Sequence, residues 1–187
     1  MKKILALFVS TILTVTLAIG STVSYVASEY IAPDTYTDPV ALTFVNGQSG
    51  TGSASVVSLG DDRWEPGYTA VMVLNIRDKD PDDTIPVNFQ LTMSKSPTET
   101  LPPLADVIDV YWFPGTSSVQ RGQLAQAVSV GTLAELLNGQ GSPMHGTFPA
   151  DEDIYTITLV FKMREDAGNE YMNQTTPEFN ISISANP

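Results

Sequence analysis

In residues 87–93 the apolar side chains Val87, Phe89, Leu91 and Met93 occupy every second position, with Asn88, Gln90 and Thr92 between them. A period of two puts the first set on one face of an extended strand and the second on the other, so the segment reads as a strand with one buried and one solvated face. The pattern recurs at Phe179, Ile181 and Ile183, with Asn180 and Ser182 outward. Further runs of β-formers lie at 40–45, 54–59, 69–76, 107–113 and 154–163. Turn-makers separate them: Glu65-Pro66-Gly67, Pro102-Pro103, Pro114-Gly115 and Asn138-Gly139-Gln140-Gly141. Short strands at this spacing predict an all-β sandwich or barrel. Helix is expected in two places only. Residues 132–139 open on Thr132, carry Glu135 three positions later as in a capping box, and stop at Gly139. One turn is expected at 104–107, after the double proline.

With 187 residues the chain has the length of one domain, and 42% hydrophobic against 16% charged residues is the composition of a folded body. Its formal charge is −12, which makes nucleic acid and anionic membranes poor partners, since both are bound chiefly through Lys and Arg. There is no cysteine and one histidine, His145. Disulfide scaffolds, thiol catalysis, Cys-ligated metal sites and any zinc site needing two histidines are thereby removed.

The N-terminus reads as a signal peptide over residues 1–28: Lys2 and Lys3, an uncharged stretch at 4–19, then small residues. Cleavage is expected after Ser28, with Ser24 as second choice; a membrane anchor is the alternative, since the uncharged stretch approaches the ~20 residues of a spanning helix. Removing Lys2 and Lys3 takes the charge from −12 to −14. A secreted chain without cysteine must draw its stability from its core or from other copies. Residues 29–45 are expected to form an N-terminal arm or donor strand, and 46–187 the β-domain.

The chain offers little chemistry. His145 stands in Pro143-Met144-His145-Gly146, a loop-like context, and no Gly-x-Ser-x-Gly elbow accompanies it. Asp78, Asp80, Asp82 and Asp83 alternate like oxygen ligands for calcium, but the loop lacks the EF-hand glycine and closing glutamate. No Gly-rich phosphate loop precedes a helix. No catalytic residue, metal or cofactor is assigned.

Six stretches in order resemble the TasA/camelysin family of secreted Gram-positive proteins, whose signal peptides are processed by a SipW-type peptidase. They are residues 59–68, ending in Glu65-Pro66-Gly67-Tyr68, the strand Val71-Met72-Val73-Leu74-Asn75, residues 104–111, the helix at 131–139, the turn Ala167-Gly168-Asn169-Glu170-Tyr171 and the closing stretch 179–185. Tyr68 stands where the family has Asp, and residues 29–58 do not match its first strand. The resemblance implies an antiparallel jelly-roll β-sandwich preceded by the signal helix, and a subunit of an extracellular or biofilm-matrix fibre. Copies would then join head to tail by strand donation, with self, other matrix or cell-surface proteins and signal peptidase as partners. The side chains offered to a neighbour would be Tyr30, Ile31, Tyr36, Val40, Leu42 and Phe44; the plainer reading makes 40–45 the first strand of its own domain. A camelysin-like protease and a monomeric binding module using loops 78–83 and 138–146 are the alternatives.

Overall fold

The computed structural model describes residues 31, 33–44, 52–60, 64–79, 86–150 and 152–186. The expected signal peptide 1–28, the arm residue Tyr30 and most of the acidic loop 78–83 lie outside these residues. The chain divides into two compact units, Met1–Ala32 with Val119–Gln126, and Pro33–Ser118 with Ala127–Pro187. In the first, helix α1 (Arg121–Gln126) begins where the Gln123 side chain accepts the Gln120 N–H at 2.8 Å, and the Ile31 N–H donates to the Val119 carbonyl at 3.1 Å. None of the α1 side chains is buried, so the helix has no apolar stripe from which its period could be read.

The second unit is an all-β sandwich. One sheet contains β1 (Thr35–Tyr36), β2 (Val40–Phe44), β4 (Thr69–Asp78), β6 (Ile108–Pro114), β7 (Gly131–Thr132) and β9 (Tyr155–Met163). The other contains β3 (Ala54–Val57), β5 (Val87–Ser94), β8 (Met144–Phe148) and β10 (Phe179–Asn186). From β3 onward the chain crosses between sheets at every connection except β6 to β7, which gives the orders β4-β9-β6-β7 and β3-β10-β5-β8. That pair of four-stranded sheets is the jelly-roll arrangement.

The period-two reading holds where it was clearest: Phe89, Leu91, Met93, Phe179, Ile181 and Ile183 are all buried. They meet the inner faces of β4 and β9, including Met72, Leu74, Leu159 and Phe161, in one core. Each such side chain contributes about 1.5–3 kcal/mol by leaving water. The capping box forms as expected: Thr132 Oγ1 accepts the Glu135 N–H at 3.2 Å and Glu135 Oε2 accepts the Thr132 N–H at 2.8 Å, at the start of helix α2 (Leu133–Leu137). The turn after the double proline is a 3₁₀-helix, Pro103–Asp106.

Three expectations change. The sandwich is not wholly antiparallel, because β1 and β2 pair parallel with β4. The chain leaves β2, passes through β3 in the opposite sheet and only then enters β4, and a connection that crosses over returns a strand in parallel. Strand β2 also belongs to the six-stranded sheet, so the body begins before Val45 and not after it. His145 lies on strand β8 rather than in a loop. The glycine beside it hid that strand, since Gly is depleted in strands; here a β-carbon on Gly146 would lie 2.3 Å from the Phe89 ring.

The two sheets are tied at one corner by Ser53. Its N–H donates to the Thr43 carbonyl at 2.8 Å, its hydroxyl accepts the Thr43 N–H at 2.7 Å, and its carbonyl accepts the Ile183 N–H at 3.2 Å. Gly52 beside it has no room for a side chain, since a β-carbon would lie 1.5 Å from the Ile183 carbonyl oxygen. Gly52→Ala is expected to lower stability by about 2 kcal/mol or more, as overpacking against backbone does, in urea unfolding followed by circular dichroism.

Candidate functional site

Beyond the Ser53 corner, β2 and β3 separate. Strand β2 pairs outward onto β4 and β3 pairs outward onto β10, so their inner edges face a groove of about 660 Å³. Its walls are β1, the following Thr37-Asp38-Pro39 and the start of β2 on one side, and residues 55–60 on the other.

Backbone direction can be read from the ladders. In an antiparallel pair alternate residues point their N–H and C=O to one partner. Ser53 bonds to Ile183 of β10, so Ser55 and Val57 point to β10 as well, and Ala54 and Val56 point the other way. On β2 the Phe44 carbonyl accepts the Lys79 N–H and so faces the β4 side, as do Leu42 and Val40 by parity. Thr43 and Ala41 therefore face the groove, and Ser53 takes only Thr43. Ala41 and Val56 present backbone donors and acceptors along the two inner edges. An extended segment can bond to such groups in the way strands augment an open sheet.

The side chains at the groove suit a partner with apolar groups. Val56 is 69% exposed and Tyr36 is 65% exposed. Val57 and Leu59 are buried behind them.

The predicted assembly residues fall into three groups. Tyr30 lies outside the described residues, and Ile31 is half-buried in the first unit. Tyr36 stands on β1 at the groove. Val40, Leu42 and Phe44 fill the core of their own subunit, with Phe44 edge-on to Phe148 at a ring separation of 5.5 Å. Residues 40–44 are therefore a strand of their own subunit, and Val56, which the sequence reading did not single out, is the other exposed apolar side chain that lines the groove. Val56 follows Ala54 at the exposed positions of a run that held no apolar alternation, so burial could not be assigned from the sequence.

Strand β1 makes two register pairs with β4, whereas β2 makes five; the Asp34 N–H to the Thr69 carbonyl at 2.9 Å and the Thr37 N–H to the Val71 carbonyl at 3.0 Å flank it, and Asp38-Pro39 interrupts the ladder before β2. Proline has no N–H to continue a ladder, so the break is built into the sequence.

The outer faces of the sheets differ in charge. On the six-stranded sheet Asp109 accepts from Arg164 at 3.0 Å and Glu165 accepts from Lys162 at 2.7 Å. The hydrogen bond from Lys162 holds the Glu165 carboxyl below its usual range, and the one to Asp109 raises the Arg164 guanidinium. On the four-stranded sheet Asn88, Gln90 and Thr92 stand in register with Asn186, Ser184 and Ser182. Thr92 shares a 2.7 Å hydrogen bond with Ser182, and Thr147 donates to Asn88 at 3.0 Å. His145 pairs opposite Gln90 at the β8 edge of this face. Among the described residues no three of His, Asp and Glu converge as metal ligands would.

No protein-family model matches the sequence, and no curated protein does. Among solved structures, PliG from Aeromonas hydrophila, a periplasmic inhibitor of g-type lysozyme, is similar over 79% of this chain and 99% of its own, at 12% identity and a TM-score of 0.34. PliG from Salmonella Typhimurium aligns over 79% of this chain and 97% of its own, at 13% identity and a TM-score of 0.30. CorA, a surface-associated copper-binding protein of Methylomicrobium album BG8, aligns over 81% and 98%, at 11% identity and a TM-score of 0.31.

The division between core and groove residues has a direct consequence. Leu42→Ala is expected to cost about 2–5 kcal/mol, as core truncations do. Tyr36→Ala is expected to cost within about 0.5 kcal/mol, as an exposed position does. Paired urea titrations check both values.

Proposed function

We propose that the chain is a secreted structural subunit that joins its copies head to tail through strand donation, as the TasA/camelysin resemblance implies. The observation that carries the reading is the groove between the inner edges of β2 and β3, where the backbone groups of Ala41 and Val56 point inward by strand parity beside exposed Tyr36 and Val56.

The donor is the part of the arm that precedes β2, Glu29 to Tyr36, which carries Tyr30, Ile31 and Tyr36. The break at Asp38-Pro39 acts as the hinge. Val40, Leu42 and Phe44 stay in their own core and anchor the base of the arm. When β1 leaves its own β4, the donated arm and the groove edges left on β2 and β3 become two different surfaces, and a heterologous contact that does not close propagates a filament. The donated segment gives backbone hydrogen bonds along an edge, with Ile31 and Tyr36 supplying apolar area against Val56. A chain at −14 after loss of Lys2 and Lys3 keeps its copies apart until such a specific contact forms. The signal peptide places the subunit outside the cell, at the surface or in the surrounding matrix.

The mature chain beginning at Glu29 is expected to form filaments by negative-stain microscopy. Deletion of residues 29–36 is expected to leave folded monomers with unchanged circular dichroism. Filaments that survive the deletion would rule out strand donation. A mature chain that stays monomeric and cleaves casein, or binds a ligand saturably, would favour the protease or the binding module instead.

A further inference from the structure

The four-stranded sheet carries no Asp, Glu, Lys or Arg in any of its strands, β3, β5, β8 or β10. The protein as a whole has 21 acidic and 9 basic residues. The solvated face of an antiparallel sheet ordinarily alternates polar with buried positions, and nothing in that alternation excludes charge. Charged side chains are the usual means of keeping a sheet surface and its edges from sticking to another copy. On the two central strands the outward positions are hydroxyls and amides, Asn88, Gln90 and Thr92 on β5 and Asn180, Ser182 and Ser184 on β10; Ala54 and Val56 on β3 and His145 and Thr147 on β8 flank them. They stand in registered cross-strand rows, and one row is already closed by the Thr92–Ser182 hydrogen bond.

We infer that this face is a second self-association surface, on which two copies meet face to face about a two-fold axis. It adjoins the groove at Val56, whose register with Asn180 puts its side chain on this face, but it does not require strand donation. Three properties select a second copy as the occupant. Two mature chains of charge −14 repel, and the repulsion is least where the facing surfaces carry no charge. Hydroxyls and carboxamides both donate and accept, so a lattice of them is complementary to itself under two-fold rotation, as an isologous contact requires. The face lacks Trp, Tyr and Phe at its outward positions, and its one ring is the His145 imidazole at the β8 edge.

The area bounds the strength of the contact. Four strands spaced about 4.8 Å apart, each rising about 3.3 Å per residue, give roughly 400–500 Å² per copy. That is at or below the lower limit of stable specific interfaces, so an isolated pair is weak and the contact gains strength when many subunits present it in a row.

The absence of cysteine gives a clean test. Single variants Asn88→Cys and His145→Cys of the mature chain place one thiol on the face, and Arg77→Cys places one on the outer side of β4 in the other sheet. A two-fold contact brings residues that lie close to the axis near their own counterparts, whereas a head-to-tail contact does not. Under mild oxidation the face variants are expected to form disulfide-linked dimers at least about tenfold faster than Arg77→Cys, and adding Thr92→Glu to Asn88→Cys is expected to abolish the difference. Raising sodium chloride from 50 to 500 mM is expected to speed the cross-link by screening net repulsion, since the Debye length falls from roughly 14 Å to roughly 4 Å. Equal rates for face and control thiols, or a rate unaffected by Thr92→Glu, would overturn the inference. Protection of the face thiols from alkylation by dextran, without cross-linking, would assign the face to a neutral glycan and overturn it equally. Circular dichroism of each variant establishes that the sandwich is intact.

Discussion

The three hydrogen bonds made by Ser53 decide the shape of everything on one side of this sandwich. They fasten the start of β3 to Thr43 on β2 and to Ile183 on β10, so one residue belongs to both sheets. Past that point the hairpin strands cannot continue to pair with each other. Strand β2 is drawn onto β4 by Val40, Leu42 and Phe44, whose side chains are in the core, and β3 is drawn onto β10 by its antiparallel ladder. The V-shaped groove is what remains between them. A conventional hairpin would have consumed the same backbone groups internally and left no acceptor.

The core was legible in the sequence because buried strands of a sandwich repeat at two residues, and Val87 to Met93 and Phe179 to Ile183 do so without interruption. Helix α2 was legible because Thr132 and Glu135 carry their capping function locally, whatever the rest of the chain does. What escaped was decided by distant partners. Gly146 looks like a turn residue until Phe89 is seen to occupy the space of its missing side chain. The parallel entry of β1 and β2 depends on the path through the opposite sheet, which no local pattern encodes. The groove escaped for the same reason: Ala41 and Val56 are ordinary strand residues, and only the pairing of their neighbours leaves their backbone groups facing one another across a gap.

The distribution of charge has a related logic. The six-stranded sheet carries ion pairs on its outer face, Asp109 with Arg164 and Lys162 with Glu165, both solvent-exposed in part and so of small consequence for stability. The four-stranded sheet is neutral. In the proposed assembly this acidic chain meets its copies in two geometrically distinct ways, one along the arm and the other across the neutral sheet. Specificity then comes as much from the repulsion everywhere else as from the contacts themselves. Without disulfides, any stability the subunit gains on assembly comes from this association.

The central claim is that the inner edges of β2 and β3 are unoccupied in the single subunit and filled in the assembly. Residue-resolved amide hydrogen exchange of the mature chain, measured dilute and then after assembly, tests it most directly. The amides of Ala41 and Val56 are predicted to exchange rapidly in the dilute protein and to become at least about a hundredfold slower in the assembly, while Leu74 and Ile181 remain slow in both. Amides at Ala41 and Val56 that are already protected in the dilute subunit, or that exchange equally fast after assembly, would contradict the account.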